Sequence, residues 1–312
     1  MRIILSILAF SLILISCKTN KTPSEPTQPA MHDYKIHPNV EWSSPNDFPL
    51  TMDIYVPQTG KKTYPVLIVY HGGGWCINTK SVMDSLSIYV ARHSEMIVCN
   101  TNYRLLTDQN NTVTLDQTYE DAINAALWVK SNIGDYGGDP ARIALTGDSA
   151  GGHLAAMVAL SNQLKVNAVV PSYGVLNVVA WAKGAGETGW LKGRGFFGKE
   201  ISIKSHPELY AAMSPYHLIP NAAERLLPPM LLTVGELDKV TTPESIRAFQ
   251  KELEVNNQPC EYWEYEGRPH AYLDGHRNDF SGIVTEFRKD APQALDVMIA
   301  FLEKHLKLNG LK

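Results

Sequence analysis

Ile143-Ala144-Leu145-Thr146-Gly147-Asp148-Ser149-Ala150-Gly151-Gly152-His153-Leu154-Ala155-Ala156-Met157-Val158 is the stretch whose reading decides the fold. A short apolar run leads into a glycine-flanked serine, and a second apolar run leaves it. That order is strand, sharp turn, helix. A serine on such a turn stands above the sheet with its hydroxyl exposed, and small neighbours are required because strand and helix pass close together. Ser149 is therefore the candidate nucleophile. The pattern G-x-S-x-G is short enough to arise by chance, so its surroundings must carry the reading.

Working outward, the chain alternates strand and helix. Tyr34 to Trp42 and Leu50 to Val56 read as an antiparallel edge, the second strand alternating at Leu50, Met52, Ile54 and Val56. Pro65 to Tyr70 is a continuous apolar run, the mark of a strand buried on both faces, and it delivers His71-Gly72-Gly73-Gly74-Trp75. A helix is expected over Ser81 to Arg92, a strand over Met96 to Asn100, and a helix from Leu115. After the elbow come strands at Val166 to Val170, Met230 to Val234 and Cys260 to Tyr265. Between the last two lies a helix with Thr241 as its expected N-cap, and Pro292 to Leu306 closes the chain as a helix. The stretch 174–227 breaks the alternation. It is rich in Gly and aromatics, offers one short helix at Pro207 to Met213, and reads as an insertion after strand six with aromatics free to stack on a ring. Gly184 to Gly189 matches G-x-G-x-x-G there, but no strand-turn-helix unit surrounds it, so it reads as a loop.

The N-terminus differs in kind. Met1-Arg2 precedes an almost unbroken apolar run from Ile3 to Ile15, which is too short to span a bilayer comfortably and reads as a signal peptide over residues 1–16. Its end, Leu14-Ile15-Ser16-Cys17, resembles a lipobox, in which Cys17 would be lipidated and become the mature N-terminus. Residues 17–31, with Pro23, Pro26 and Pro29, read as a tether, and the catalytic domain spans 32–312. This makes an exported bacterial lipoprotein held at a membrane the expected location. Cys76, Cys99 and Cys260 then form an odd set that cannot be a full disulfide framework, and Cys99 and Cys260 read as buried inert thiols. The net charge of −4 is mild and unclustered, so the chain carries no electrostatic footprint for nucleic acid.

Loops leaving the carboxyl ends of a mainly parallel sheet converge on one edge, and four of them carry chemistry. Ser149 needs a base, the base needs a carboxylate to hold its tautomer, and a tetrahedral oxyanion needs backbone N–H donors. His270 and Asp238 each follow a late strand directly, in the chain order Ser, Asp, His. His276 is the rival base and Glu236 the rival acid. His153 reads as a packing residue and His71 as an orienter of the glycine loop. Gly73, Gly74 and Ala150 are the expected oxyanion donors. Neither H-E-x-x-H nor a paired Cys-x-x-Cys occurs, so no metal or cofactor is expected.

His71-Gly72-Gly73-Gly74-Trp75 with Gly147-Asp148-Ser149-Ala150-Gly151-Gly152 resembles the α/β-hydrolase superfamily, specifically hormone-sensitive-lipase-like and carbohydrate-esterase-like bacterial esterases. Tyr103-Arg104-Leu105 and Asp139-Pro140-Ala141-Arg142-Ile143 are also similar to that group. The resemblance implies an α/β-hydrolase fold with a short cap insertion and a serine carboxylesterase acting on short-chain acyl esters of small molecules or glycans. A formamidase, amidase or peptidase-like hydrolase with the same three residues is the alternative.

Overall fold

The computed structural model describes residues 31–186, 195–275 and 283–307. The signal peptide, Cys17, nearly all of the tether, His276 and the second half of the Gly184–Gly189 motif lie outside the described residues.

Eight strands form one sheet: β1 (Tyr34–Ser43), β2 (Leu50–Pro57), β3 (Tyr64–Tyr70), β4 (Ile97–Thr101), β5 (Gly138–Asp148), β6 (Ala168–Ser172), β7 (Met230–Gly235) and β8 (Cys260–Tyr265). Their spatial order is β1-β2-β4-β3-β5-β6-β7-β8. β2 runs antiparallel to both neighbours, and β3 to β8 are parallel. The runs that read as apolar are buried for a plain reason. Val66, Leu67, Ile68 and Val69 of β3, a central strand between β4 and β5, have no solvent contact on either face.

The chain steps from β3 to β4 in one direction and then returns past β3 to lay down β5 on its other side. The loops leaving β3 and β5 therefore diverge at a topological switch point, where parallel sheets open a crevice beyond their carboxyl ends. Those two loops carry His71–Trp75 and Ser149.

Helix α1 (Asp84–His93) packs with the C-terminal helix, while α2 (Leu115–Asn132) packs with α3 (Ala150–Leu160), which also lies on β3, β5 and β6. α3 is apolar all round and entirely buried, as befits a helix at the centre of the molecule. The insertion contributes α4 (Val178–Trp181) and α5 (Pro207–Ala212). α6 (Pro243–Val255) covers β7 and β8, and α7 (Ile283–Asp290) precedes α8 (Pro292–Leu306).

Three features depart from the sequence reading. The N-cap of α6 is Thr242, whose hydroxyl accepts from the Ser245 amide, and Thr241 turns inward instead. α7 was not foreseen. The insertion's aromatics are not all free to stack on a ligand: Phe196 and Tyr210 are fully buried and pack edge-to-face on each other, and Phe196 does the same against Trp75. Cys76 and Cys99 are buried and free, and Cys260 is buried.

Candidate active site

Ser149 occupies the turn between β5 and α3 with φ 50° and ψ −114°, a conformation that non-glycine residues rarely adopt and that costs on the order of 1–3 kcal/mol. The surroundings hold it there. Its amide donates to Ser172 O at 3.0 Å, and its carbonyl accepts from the His153 amide at 3.0 Å. A Cβ at Gly151 would run into the Tyr70 carbonyl, so only glycine lets the helix start this close to β3.

The loop after β8 brings His270 Nε2 to 3.0 Å from Ser149 Oγ, and His270 Nδ1 lies 2.7 Å from Asp238 Oδ2. A carboxylate can only accept, so this pattern assigns the imidazole proton to Nδ1 and leaves the Nε2 lone pair facing the serine hydroxyl. Asp238 is buried at the mouth of the loop after β7. Its Oδ1 accepts from the amides of Val240 and Thr241 at 2.8 and 2.9 Å, so both oxygens are engaged. Three residues from three loops, 121 and 32 positions from His270, thus meet in one hydrogen-bonded chain.

The rivals lie elsewhere. Glu236 is exposed and accepts from the Gly267 amide. His153 is buried on α3, where Nδ1 accepts from Trp75 Nε1 at 3.3 Å and Nε2 donates to Met213 O at 2.7 Å. Burial drives its pKa down to about 4, so it is a neutral packing residue.

The glycine loop is fastened at its base. Gly72 N donates to Asp148 Oδ1 at 2.6 Å, and His71 Nδ1 donates to Gly72 O at 2.7 Å. The His71 ring stacks on Tyr103 at 4.3 Å, whose hydroxyl donates to His71 O. Burial lowers the His71 pKa to about 4, so the imidazole is a neutral prop at physiological pH. Gly73, at φ 115°, turns the chain in a conformation closed to other residues. Among the described residues, the amides of Gly73, Gly74 and Ala150 donate no backbone hydrogen bond.

Several residues here carried no signal in the sequence. Tyr173 follows β6 at φ 35° with its ring edge-on to His270 at 5.0 Å, and its hydroxyl accepts from the Leu273 amide at 3.1 Å. The Thr241 hydroxyl sits among Tyr173 O, Asp238 Oδ2 and His270 Nδ1. Asp148 is hydrogen-bonded to Asp274 of the histidine loop. Burial pushes the Asp148 carboxyl up to about 6, and burial plus the neighbouring Asp148 charge hold Asp274 well above the ordinary carboxylate range. Such a pair shares a proton. An aromatic after a strand reads as core, and a threonine before a helix reads as a cap, so neither pattern pointed to the site.

Beside this cluster lies a largely apolar cavity of about 240 Å³, bounded by Gly174, Leu176, Trp181, Val240 and Thr241. Thr241 is thus common to the cavity wall and the hydrogen-bonded chain. Val240, which lines the cavity, is exposed to solvent and gives it an apolar edge.

Comparison with known proteins agrees with this architecture. The BD-FAE family model matches residues 52–253. Arylacetamide deacetylase of Bos taurus is 41% identical over 119 residues, which is 36% of this chain and 28% of that protein. A probable isoprenylcysteine alpha-carbonyl methylesterase of Oryza sativa is 27% identical over 261 residues, 77% of this chain and 60% of that one. The chain therefore spans between about a quarter and three fifths of the length of these relatives. A truncated carbohydrate esterase from gut microbiota superposes with a TM-score of 0.71 at 19% identity, covering 90% of this chain and 99% of that one, which is a likeness of fold.

Proposed function

The chain belongs to the BD-FAE family, its sheet is that of an α/β-hydrolase, and on that premise we propose that it is a serine carboxylesterase acting on short-chain acyl esters. The observation that carries the reading is the unbroken Ser149–His270–Asp238 chain at 3.0 and 2.7 Å. Ser149 Oγ attacks the ester carbonyl carbon while its proton passes to His270 Nε2, and Asp238 stabilises the imidazolium without taking the proton. The oxyanion is met by the amides of Gly73, Gly74 and Ala150. Collapse expels the alcohol, which takes the proton from His270, and leaves an acyl group on Ser149. Water, deprotonated by His270, then repeats the attack to release the acid and restore the serine.

Substrate size follows from the cavity. At about 240 Å³ it is smaller than the roughly 300–1,000 Å³ of pockets that enclose drug-sized ligands. Its apolar lining suits a small group such as acetyl or butyryl, carried on a small-molecule or glycan alcohol. A deacetylase and a methylesterase among the similar proteins support a small acyl or alcohol group. Trp181, half-buried at the cavity wall, is an aromatic able to meet a sugar or phenolic ring. The N-terminal sequence adds export and lipidation at Cys17, which would hold the enzyme at a membrane surface facing its substrates.

A nitrophenyl ester series with matched anilides tests this. Each methylene buried in a long channel would add about 0.8 kcal/mol. The expected result is a kcat/KM maximum at two to four carbons with anilides far slower. A maximum at eight carbons or beyond, or anilides as fast as esters, would overturn the reading.

A further inference from the structure

Thr241 is 2% exposed and its hydroxyl has a single proton, yet two acceptors stand within its reach. Oγ1 is 2.8 Å from Tyr173 O and 3.1 Å from Asp238 Oδ2, and a third group, His270 Nδ1, lies at 3.4 Å. The backbone around it is fixed independently of the hydroxyl. Its own amide donates to Asp238 Oδ1, and the Tyr173 amide donates to Thr233 O at 2.6 Å. None of these heavy atoms needs to move for the proton to change partner.

We propose that the Thr241 hydroxyl is a positioning residue for the Asp238–His270 pair, a rotatable donor that serves both charge states of the histidine. The inference rests on the serine-esterase reading of this site. With His270 neutral, Asp238 Oδ2 carries an incompletely balanced negative charge, and the Thr241 proton points to it as an additional hydrogen bond. When Ser149 gives up its proton and His270 becomes an imidazolium, the ion pair satisfies Oδ2. The hydroxyl then turns to the Tyr173 carbonyl, the shorter contact, and presents a lone pair to the imidazolium Nδ1–H. No bond is made or broken at Thr241; a single O–H rotor follows the charge. A donor that needs no displacement of protein atoms has low reorganisation cost, which is the condition for electrostatic stabilisation in an active site.

The alternative role is packing, because Thr241 also walls the cavity. Thr241→Val keeps the shape and removes the hydroxyl, and Thr241→Ser keeps the hydroxyl and removes the methyl. The experiment measures kcat and KM for a short nitrophenyl ester with each variant, normalised to competent sites by the acylation burst, so that a poorly folded fraction does not enter the comparison. One lost hydrogen bond felt in the transition state corresponds to about tenfold in rate. The expected result is kcat about tenfold lower in Thr241→Val with KM within twofold of wild type, and at least half of wild-type kcat in Thr241→Ser. If Thr241→Val yields no burst, Thr241→Ser and Thr241→Ala carry the comparison by the same criterion, the serine variant active and the alanine variant slow. A Thr241→Val kcat within twofold of wild type, or a serine variant no faster than the variant lacking the hydroxyl, overturns the proposal. Wild-type protein without burst or ester hydrolysis would instead overturn the esterase reading itself.

Discussion

At the scale of single residues, the site is held by buried polar groups whose charge states are set by their surroundings. The Asp148–Asp274 pair has the clearest thermodynamic consequence. Both carboxyls bind protons more tightly in the folded protein than at their ordinary value of 3.8. Above that pH the unfolded chain holds fewer protons than the folded one, so stability falls as pH rises through about 6 and onward into the range of Asp274. Asp274→Asn supplies a permanent donor to Asp148 and removes one charge from the pair. Its melting temperature should exceed that of wild type by several degrees at pH 8, with the gap closing as the pH falls toward 3.8; a gap that does not change with pH would contradict the shared proton. These residues also mark the limit of what the sequence discloses. Ser149, His270 and Asp238 are legible because each ends a strand in the required order. Thr241 is not, because Thr241-Thr242-Pro243 presents two adjacent hydroxyls to one helix start, and only the fold decides that the second caps while the first turns to Asp238.

Among elements, the parallel strands are the most legible part of the chain, since burial on both faces demands uninterrupted apolar runs such as Val66–Tyr70 and Met230–Val234. The insertion is the least legible, because its elements are short and no periodicity survives in them. What orders its described part is an aromatic cluster. Trp75 of the glycine loop meets Phe196 at 5.4 Å and Trp181 at 5.8 Å, and Phe196 meets Tyr210 at 5.7 Å. The cluster therefore ties the insertion to the expected oxyanion loop, and the Phe196 carbonyl also accepts from the Leu115 amide at the start of α2. Phe196→Ala should cost about 3–5 kcal/mol, the usual range for a fully buried aromatic. It should also lower kcat more than KM, since a loosened Trp75 frees the glycine loop. Denaturant unfolding and steady-state kinetics check both effects; a loss below 1 kcal/mol would show that the cluster does not brace the insertion.

For the whole molecule, the sheet order places the glycine loop and the serine on either side of the switch point, and the acid and histidine loops on the strands beyond it. That arrangement follows from alternating strands and helices and was readable in outline, whereas the family branch was not, since the motifs are common to many esterases. The proposed lipid anchor belongs to this scale too. Cys17→Ser should release the protein from membranes while leaving kcat/KM unchanged, read by fractionation and ester hydrolysis; unchanged retention would contradict the anchor.

Ser149, activated by His270, is the proposed nucleophile, and covalent capture by a serine-reactive probe tests that assignment. Intact protein incubated with a fluorophosphonate and analysed by mass spectrometry should gain one adduct, mapped by peptide fragmentation to Ser149, and Ser149→Ala should gain none. His270→Ala should label at least a hundredfold more slowly, since the base that activates the hydroxyl is gone. Absence of an adduct on the wild-type protein, or an adduct on any other residue, would contradict the account.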